Sequence, residues 1–191
     1  WHETLADVPD GAAIIVANEF LDALPVRQFV LENNEWFERC VGIASDGALE
    51  FCLAPTPPHD TNLIPDGIRQ KARDGDIAEV CEAAGEVIRT IAARAEAAPA
   101  AALFIDYGHI ESAPGDTLQA VRAHDYTSPL AEPGNDDLTV HVDFDRLAGL
   151  ARSGGLEAHG PMTQGAFLIA LGLQERTQRL AADADGDALQ A

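Results

Sequence analysis

The chain has 191 residues, 47% hydrophobic and 23% charged, enough apolar content for one domain with a real core. Its 12 basic against 32 acidic residues give a net charge of −20, which excludes nucleic acid as the expected partner, because phosphate binding needs a basic face. No stretch approaches the ~18 apolar residues of a membrane span, and Cys40, Cys52 and Cys81, odd in number and without CxxC spacing, argue for a reducing compartment and against a disulfide framework or zinc knuckle.

The chain begins at Trp1 and its one methionine is Met162, so Trp1 is not a translation start and either a removed signal or transit peptide or a whole domain is expected before it. Asp10-Gly11 makes a turn before the continuously apolar Ala12-Ala13-Ile14-Ile15-Val16-Ala17, the pattern of a central parallel strand covered on both faces. The strand ends in Asn18-Glu19-Phe20-Leu21-Asp22-Ala23-Leu24-Pro25, where polar groups appear and Pro25 breaks the chain. Three β-like runs follow at 26–32, 36–43 and 49–53, with Asn33-Asn34 and Ser45-Asp46-Gly47 as hairpin turns. They predict an antiparallel meander inserted over about 26–54. Pro55, Pro57, Pro58 and Pro65 mark an irregular connection.

From about 76 to 96 the period becomes helical, with Ile77, Val80, Ala84, Ile88 and Ile91 on one stripe and Asp74 or Asp76 as the cap. A second apolar strand, Ala101-Ala102-Leu103-Phe104-Ile105, ends in Asp106-Tyr107-Gly108-His109. A long loop then covers about 110–139, with a helical turn expected around 117–123. Asp143 caps a helix over 143–152, stopped by Gly154-Gly155. A further strand is expected at 156–162, two helical pieces at 164–173 and 174–182 with a break near Gly172, and a frayed tail at 183–191.

Strand, crossover containing a helix, then strand is the order of a parallel α/β sheet, whose ligands sit beyond the carboxyl ends of the strands. That rule puts Asn18, Glu19 and Asp22 on one sheet edge with Asp106, Tyr107 and His109. Plainer roles stand beside it: Asp22 as a cap, Glu19 as a surface pair, Asn18 as a turn former, Asp106 as the holder of its own turn. His109, His124 and His141 match no local metal-ligand spacing, so no metal is expected; His124 and His141 read as loop-fixing partners. No GxSxG elbow supports a hydrolase.

The two strand-end clusters also carry a resemblance. Asn18-Glu19-Phe20-Leu21-Asp22-Ala23-Leu24-Pro25-Val26-Arg27-Gln28-Phe29 resembles the NEFxDALPVxxF signature of the MidA-like family of methyltransferases. Ile105-Asp106-Tyr107-Gly108-His109, Asp116-Thr117-Leu118-Gln119-Ala120 with His124, Pro133-Gly134, Asp137-Leu138-Thr139, His141-Val142-Asp143-Phe144 and Thr163-Gln164-Gly165-Ala166-Phe167-Leu168 continue it in the family's order.

The resemblance implies a Rossmann-like class I methyltransferase fold with S-adenosyl-L-methionine as methyl donor and S-adenosylhomocysteine as product. It also implies a protein side chain as acceptor, an arginine of a respiratory complex I subunit for the mitochondrial relatives. An arginine acceptor is held by carboxylates, which pair bidentately with guanidinium. Glu19 and Asp22 are the expected catalytic pair, Asn18 the cofactor contact, and Asp106, Tyr107, His109 and His124 the substrate contacts. A non-catalytic assembly factor that binds a partner protein is the alternative. The expected compartment is the cytoplasm, or the mitochondrial matrix in eukaryotic relatives, and a homodimer is an open expectation.

The family's glycine-rich cofactor loop has no counterpart, because no GxGxG occurs in the chain, and Glu79-Val80-Cys81-Glu82 stands where the family shows Glu-x-Ser-Pro. The expectation is therefore the C-terminal part of one methyltransferase domain over 1–191, inactive alone and exposing a sheet edge and an apolar face.

Overall fold

The computed structural model describes residues 1–58 and 61–183, which form two compact units, Trp1–Ala158 and His159–Ala191. In the first, β1 (Ala13–Asn18) is followed by the expected meander of β2 (Arg27–Glu32), β3 (Glu35–Ile43) and β4 (Leu49–Leu53), all antiparallel. Asn33 and Asn34 turn the first hairpin with φ of 50° and 67°, left-handed values that Asn tolerates better than most residues.

The meander has a fourth strand that the sequence pattern assigns to a helix. Ile77–Val80 is β5, paired antiparallel with β2 in the order β4-β3-β2-β5. Within it Ala78 and Val80 are fully buried while Ile77 and Glu79 are less so, which is strand alternation rather than a helical stripe. A short helix, α1 (Asp66–Lys71), comes from the expected irregular connection. Its Ile68 joins Phe29, Trp36, Ile64, Ala78 and Val80 in one apolar cluster. Each of the larger side chains among them contributes about 1.5–3 kcal/mol by leaving water.

The long helix begins only at α2 (Glu82–Ala97), capped by Cys81, whose Sγ accepts the Ala84 N–H at 3.4 Å, and not by Asp74 or Asp76. Its chain returns through β6 (Ala100–Ile105), which runs parallel to β1 in a register from Ala13↔Ala100 to Asn18↔Ile105. The two carboxyl ends therefore lie side by side. Leu21, Ala84, Ile88, Val142, Leu147 and Ala151 form a second apolar cluster. The other face of the sheet has no cover among the described residues: Ile14 and Val16 are 86% and 64% exposed. The strand expected to be covered on both faces is covered here on one.

Beyond β6 lies β7 (Gly108–His109), and the expected structureless loop contains a small sheet of β8 (Gln119–Arg122), β9 (Asp125–Thr127) and β10 (Asp137–Thr139), ordered β10-β8-β9. The helical turn expected around 117–123 is thus strand β8, reversed at Ala123 and His124 with φ of 49° and 73°. β7 pairs in parallel with β11 (Val142–Asp143), which leads into α3 (Phe144–Ser153). Asp143 caps that helix as expected, its Oδ1 accepting the Arg146 N–H at 2.9 Å. No strand forms at 156–162.

The second unit carries α4 (Gln164–Ala170) and α5 (Leu173–Asp183), broken at Gly172 with φ of 89°. Thr163 caps α4 by accepting the Ala166 N–H at 3.3 Å. The tail expectation past Asp183 lies outside the described residues. No described helix is long and apolar enough to cross a membrane.

Candidate functional site

The register of β1 against β6 builds the site. With Asn18 opposite Ile105, the Glu19 N–H donates to the Ile105 carbonyl at 2.9 Å and the strands part at that point. Asp106, the next residue on β6, then closes the gap from its own side. Its Oδ2 accepts three successive N–H groups of the opposite turn, Phe20 at 3.2 Å, Leu21 at 3.0 Å and Asp22 at 3.3 Å. Its Oδ1 accepts the Tyr107 N–H at 2.9 Å. Asp106 is therefore a bracket for both strand ends, a role its sequence position alone does not separate from substrate binding.

Glu19 is exposed and adopts φ of 47°, the left-handed region. A non-glycine residue there stores backbone strain, and such outliers cluster where a side chain must be aimed. Its carboxylate has no hydrogen-bond or ion-pair partner among the described residues. Asn18 and Phe20 beside it are also exposed.

Asp22 behaves differently. It is 4% exposed, its Oδ2 accepts the Tyr107 hydroxyl, and its Oδ1 is buried without a partner among the described residues. Burial, and next the bond to Asp22, push the Tyr107 hydroxyl up to about 12, so it stays a neutral donor at any ordinary pH. Glu19 and Asp22 are close in sequence yet one faces solvent and the other the interior.

Tyr107 meets His141 edge to face, with ring centroids 5.9 Å apart and planes at 82°. His141 was not among the substrate contacts expected from sequence. A chain of polar contacts fixes it: its N–H donates to Thr117 Oγ1 at 2.9 Å, and the Thr117 hydroxyl donates to Glu79. Glu79 Oε1 also accepts from Gln28 Nε2 at 2.8 Å and from the N–H groups of Thr117 and Leu118 at 3.1 and 3.2 Å. Glu79 thus ties the meander to the loop that carries His141. Nothing in the pattern of a helix face signals it.

His109 sits in β7 opposite Asp143, where Gly108 permits the pairing: a Cβ on Gly108 would lie 2.0 Å from the Val142 carbonyl oxygen. His124 lies at the exposed β8–β9 turn, on the separate three-stranded sheet. The structure therefore gathers Asn18, Glu19, Asp22, Asp106 and Tyr107 at the β1–β6 end, adds His141, and gives His124 a turn role. A cavity of about 30 Å³ beside them, lined by Leu21, Cys81, His141 and Arg146 among others, holds a water or two and no more. Any larger ligand would have to meet the exposed rim.

Of the three carboxylates at this end, Asp22 turns inward and Asp106 is taken up by backbone N–H groups, which leaves the exposed Glu19 as the one suited to a cationic group: a sulfonium or a guanidinium. The described residues supply that one wall. They contain no glycine-rich turn of the kind that lets backbone amides approach a nucleoside.

Comparison with known proteins shows the family of the chain. A family model described as "Putative S-adenosyl-L-methionine-dependent methyltransferase" matches residues 1–162. The Protein arginine methyltransferase NDUFAF7, mitochondrial, of Danio rerio is 35% identical over 187 residues, covering 97% of this chain and 43% of that protein. Its counterpart in Rattus norvegicus is 36% identical, covering 100% and 42%. A crystal structure from Burkholderia thailandensis, described as "a COG1565 superfamily member and likely methyl transferase" bound to S-adenosyl-homocysteine, superposes with a TM-score of 0.77 at 29% identity, covering 100% of this chain and 48% of that one. The chain spans about two fifths of the length of the curated relatives it matches. With a family model over most of its length and that fold in common, the chain belongs to this S-adenosyl-L-methionine-dependent methyltransferase family.

Proposed function

We propose that these residues form the acceptor-side wall of a protein arginine methyltransferase of the relatives' length. The single observation that carries this reading is the contrast at the end of β1: Glu19, strained, exposed and unpaired, stands beside a buried Asp22 that is already bonded to Tyr107.

S-adenosyl-L-methionine, when bound, supplies an electrophilic methyl on a sulfonium. What this chain's residues do is position the acceptor. The Glu19 carboxylate accepts hydrogen bonds from the guanidinium and localises its charge, leaving one nitrogen as the better nucleophile. Asn18 and Phe20, exposed beside Glu19, would face the donor when it is bound and cover part of it from water. Asp22 acts one layer back: it fixes the Tyr107 hydroxyl, and Tyr107 with His141 forms the adjoining aromatic wall. Asp106 holds both strand ends so that these groups share one frame. The acidic surface, −20 overall, favours encounter with a basic protein segment. The relatives are named as mitochondrial protein arginine methyltransferases, so the acceptor in this proposal is an arginine of a mitochondrial protein, with a respiratory-chain subunit as the MidA-like resemblance implies.

The test is transfer of labelled methyl from S-adenosyl-L-methionine to arginine-containing peptides, by a protein of the relatives' length bearing these residues. Glu19→Gln should lower kcat by about 100-fold, the scale of a lost orienting contact, with the fold intact by circular dichroism. Turnover unchanged in that variant would remove the clamp.

A further inference from the structure

The meander carries a feature that methyl transfer does not use. Cys40 on β3 and Cys52 on β4 are register partners, so their side chains leave the same face of the sheet directly opposite each other. Both are free thiols; Cys52 is exposed and Cys40 half-buried. The ladder fixes which kind of pair they are. Ala54 N–H donates to the opposite Glu38 carbonyl at 2.8 Å, and Ala44 N–H to the opposite Ala48 carbonyl at 2.8 Å. Counting by twos from either, Cys40 and Cys52 form a hydrogen-bonded pair, with Cα atoms about 5.5 Å apart.

That separation lies within the ~4.4–6.8 Å a disulfide spans, while the Cβ atoms of such a pair stand wider than its usual ~3.8 Å. A bond between them is reachable, and it is strained. In the reduced hairpin the sulfurs turn apart. Cys40 Sγ lies 3.7 Å from the Glu38 carbonyl oxygen, and Cys52 Sγ rests over Gly42, 3.1 Å from where a Cβ would be. Closing the bridge takes side-chain rotation together with a small local approach of the two strands, and Gly42 leaves the Cys52 thiol room to rest when reduced.

We propose that Cys40 and Cys52 are a reversible cross-strand dithiol, a modification site oxidised by thiol–disulfide exchange with a small-molecule disulfide of the glutathione class. The exposed Cys52 thiolate attacks the external disulfide, forming a mixed disulfide and expelling one thiolate. The Cys40 thiolate then attacks the Cys52 sulfur, forms the Cys40–Cys52 bond and expels the second thiolate. Two protein thiols are oxidised by two electrons, one external disulfide is reduced to two thiols, and the two protein protons pass to the leaving groups. Strain makes the bridge easy to reduce again, which sets it apart from a structural disulfide. Cys81 is an internal control. It caps α2 half-buried, and burial pushes its thiol up, so little thiolate is present to react.

The experiment equilibrates the folded chain with graded ratios of oxidised to reduced glutathione, quenches with acid, alkylates the remaining thiols and reads intact and peptide masses. The expected result is loss of two hydrogens, a cross-link joining the Cys40 and Cys52 peptides, Cys81 alkylated, and reversal when reduced glutathione is added. Cys40→Ser should leave a glutathione adduct that persists on Cys52. A stable mixed disulfide on Cys52 in the unsubstituted protein would overturn the proposal, and so would both thiols staying alkylatable at the most oxidising ratio.

Discussion

Asp106, at the end of one strand, accepts the Leu21 N–H at 3.0 Å from the turn that ends its neighbour, 85 residues earlier in the chain. The same oxygen takes the N–H groups of Phe20 and Asp22. Two strand ends that would otherwise splay are held by one carboxylate. Asp106→Ala should therefore cost about 2–3 kcal/mol, the scale of hydrogen bonds to a charged acceptor together with the donors left unpaired. Urea unfolding of the two proteins measures this. A loss under half a kcal/mol, the ordinary surface value, would mean the bracket does not hold the turn.

Tyr107→Phe removes the one side-chain donor that reaches Asp22 among the described residues. The carboxylate is 4% exposed and its other oxygen already lacks a partner, so the variant strands a buried charge. A loss of about 1–3 kcal/mol is expected. Pairing the change with Asp22→Asn should recover part of it, because a neutral amide tolerates burial better than an unpaired carboxylate. Additive losses in the double variant would show that the two residues do not interact.

Glu19→Gly separates stability from function. Glycine adopts φ of 47° without strain, so the variant should unfold no more easily than the unsubstituted protein and gain up to about 1 kcal/mol. Methyl transfer should fall as it does in Glu19→Gln. Loss of stability in Glu19→Gly would mean that the side chain, and not the backbone position, holds the strand end.

The Arg27–Glu38 pair predicts an acid-side dependence. The Arg27 guanidinium, donating at 2.7 and 2.9 Å, holds the Glu38 carboxyl below its usual range against the opposing effect of burial. A depressed folded value means stability that is present above the unfolded carboxylate pKa and lost as pH falls through the folded one. Unfolding free energy measured between about pH 5 and 3 should fall less steeply in Glu38→Gln. Equal slopes would show the pair to be energetically idle, as many exposed pairs are.

Much of the frame was legible because it rests on short-range pattern. The apolar runs before Asn18 and Asp106 are β1 and β6, the double Asn turns the first hairpin, and Asp143 and Gly172 delimit helices where their chemistry says they should. The misread stretches share a physical cause. Ile77 and Val80 stand three apart, a spacing that serves a helix stripe, and only pairing with β2 makes the segment a strand. Residues 119–122, inside the stretch expected as a helical turn, fold as a strand through partners at 125–127 and 137–139. The same holds at the site. Asn18, Glu19, Asp22, Asp106 and Tyr107 could be placed on one edge from strand order alone. That Asp22 turns inward onto Tyr107, and that Glu79 anchors the His141 loop through Thr117, depends on contacts between distant segments.

The measurement closest to the central claim is calorimetric titration of S-adenosylhomocysteine into a protein of the relatives' length bearing this chain, beside its Glu19→Gln variant. Saturable one-site binding is expected in both, within about threefold of each other, since Glu19 serves the acceptor and a lost neutral contact costs well under 1.4 kcal/mol. A folded protein that gives no binding heat at any temperature tried, and no competition with labelled S-adenosyl-L-methionine, would contradict the donor assignment and leave partner binding as the role of this surface.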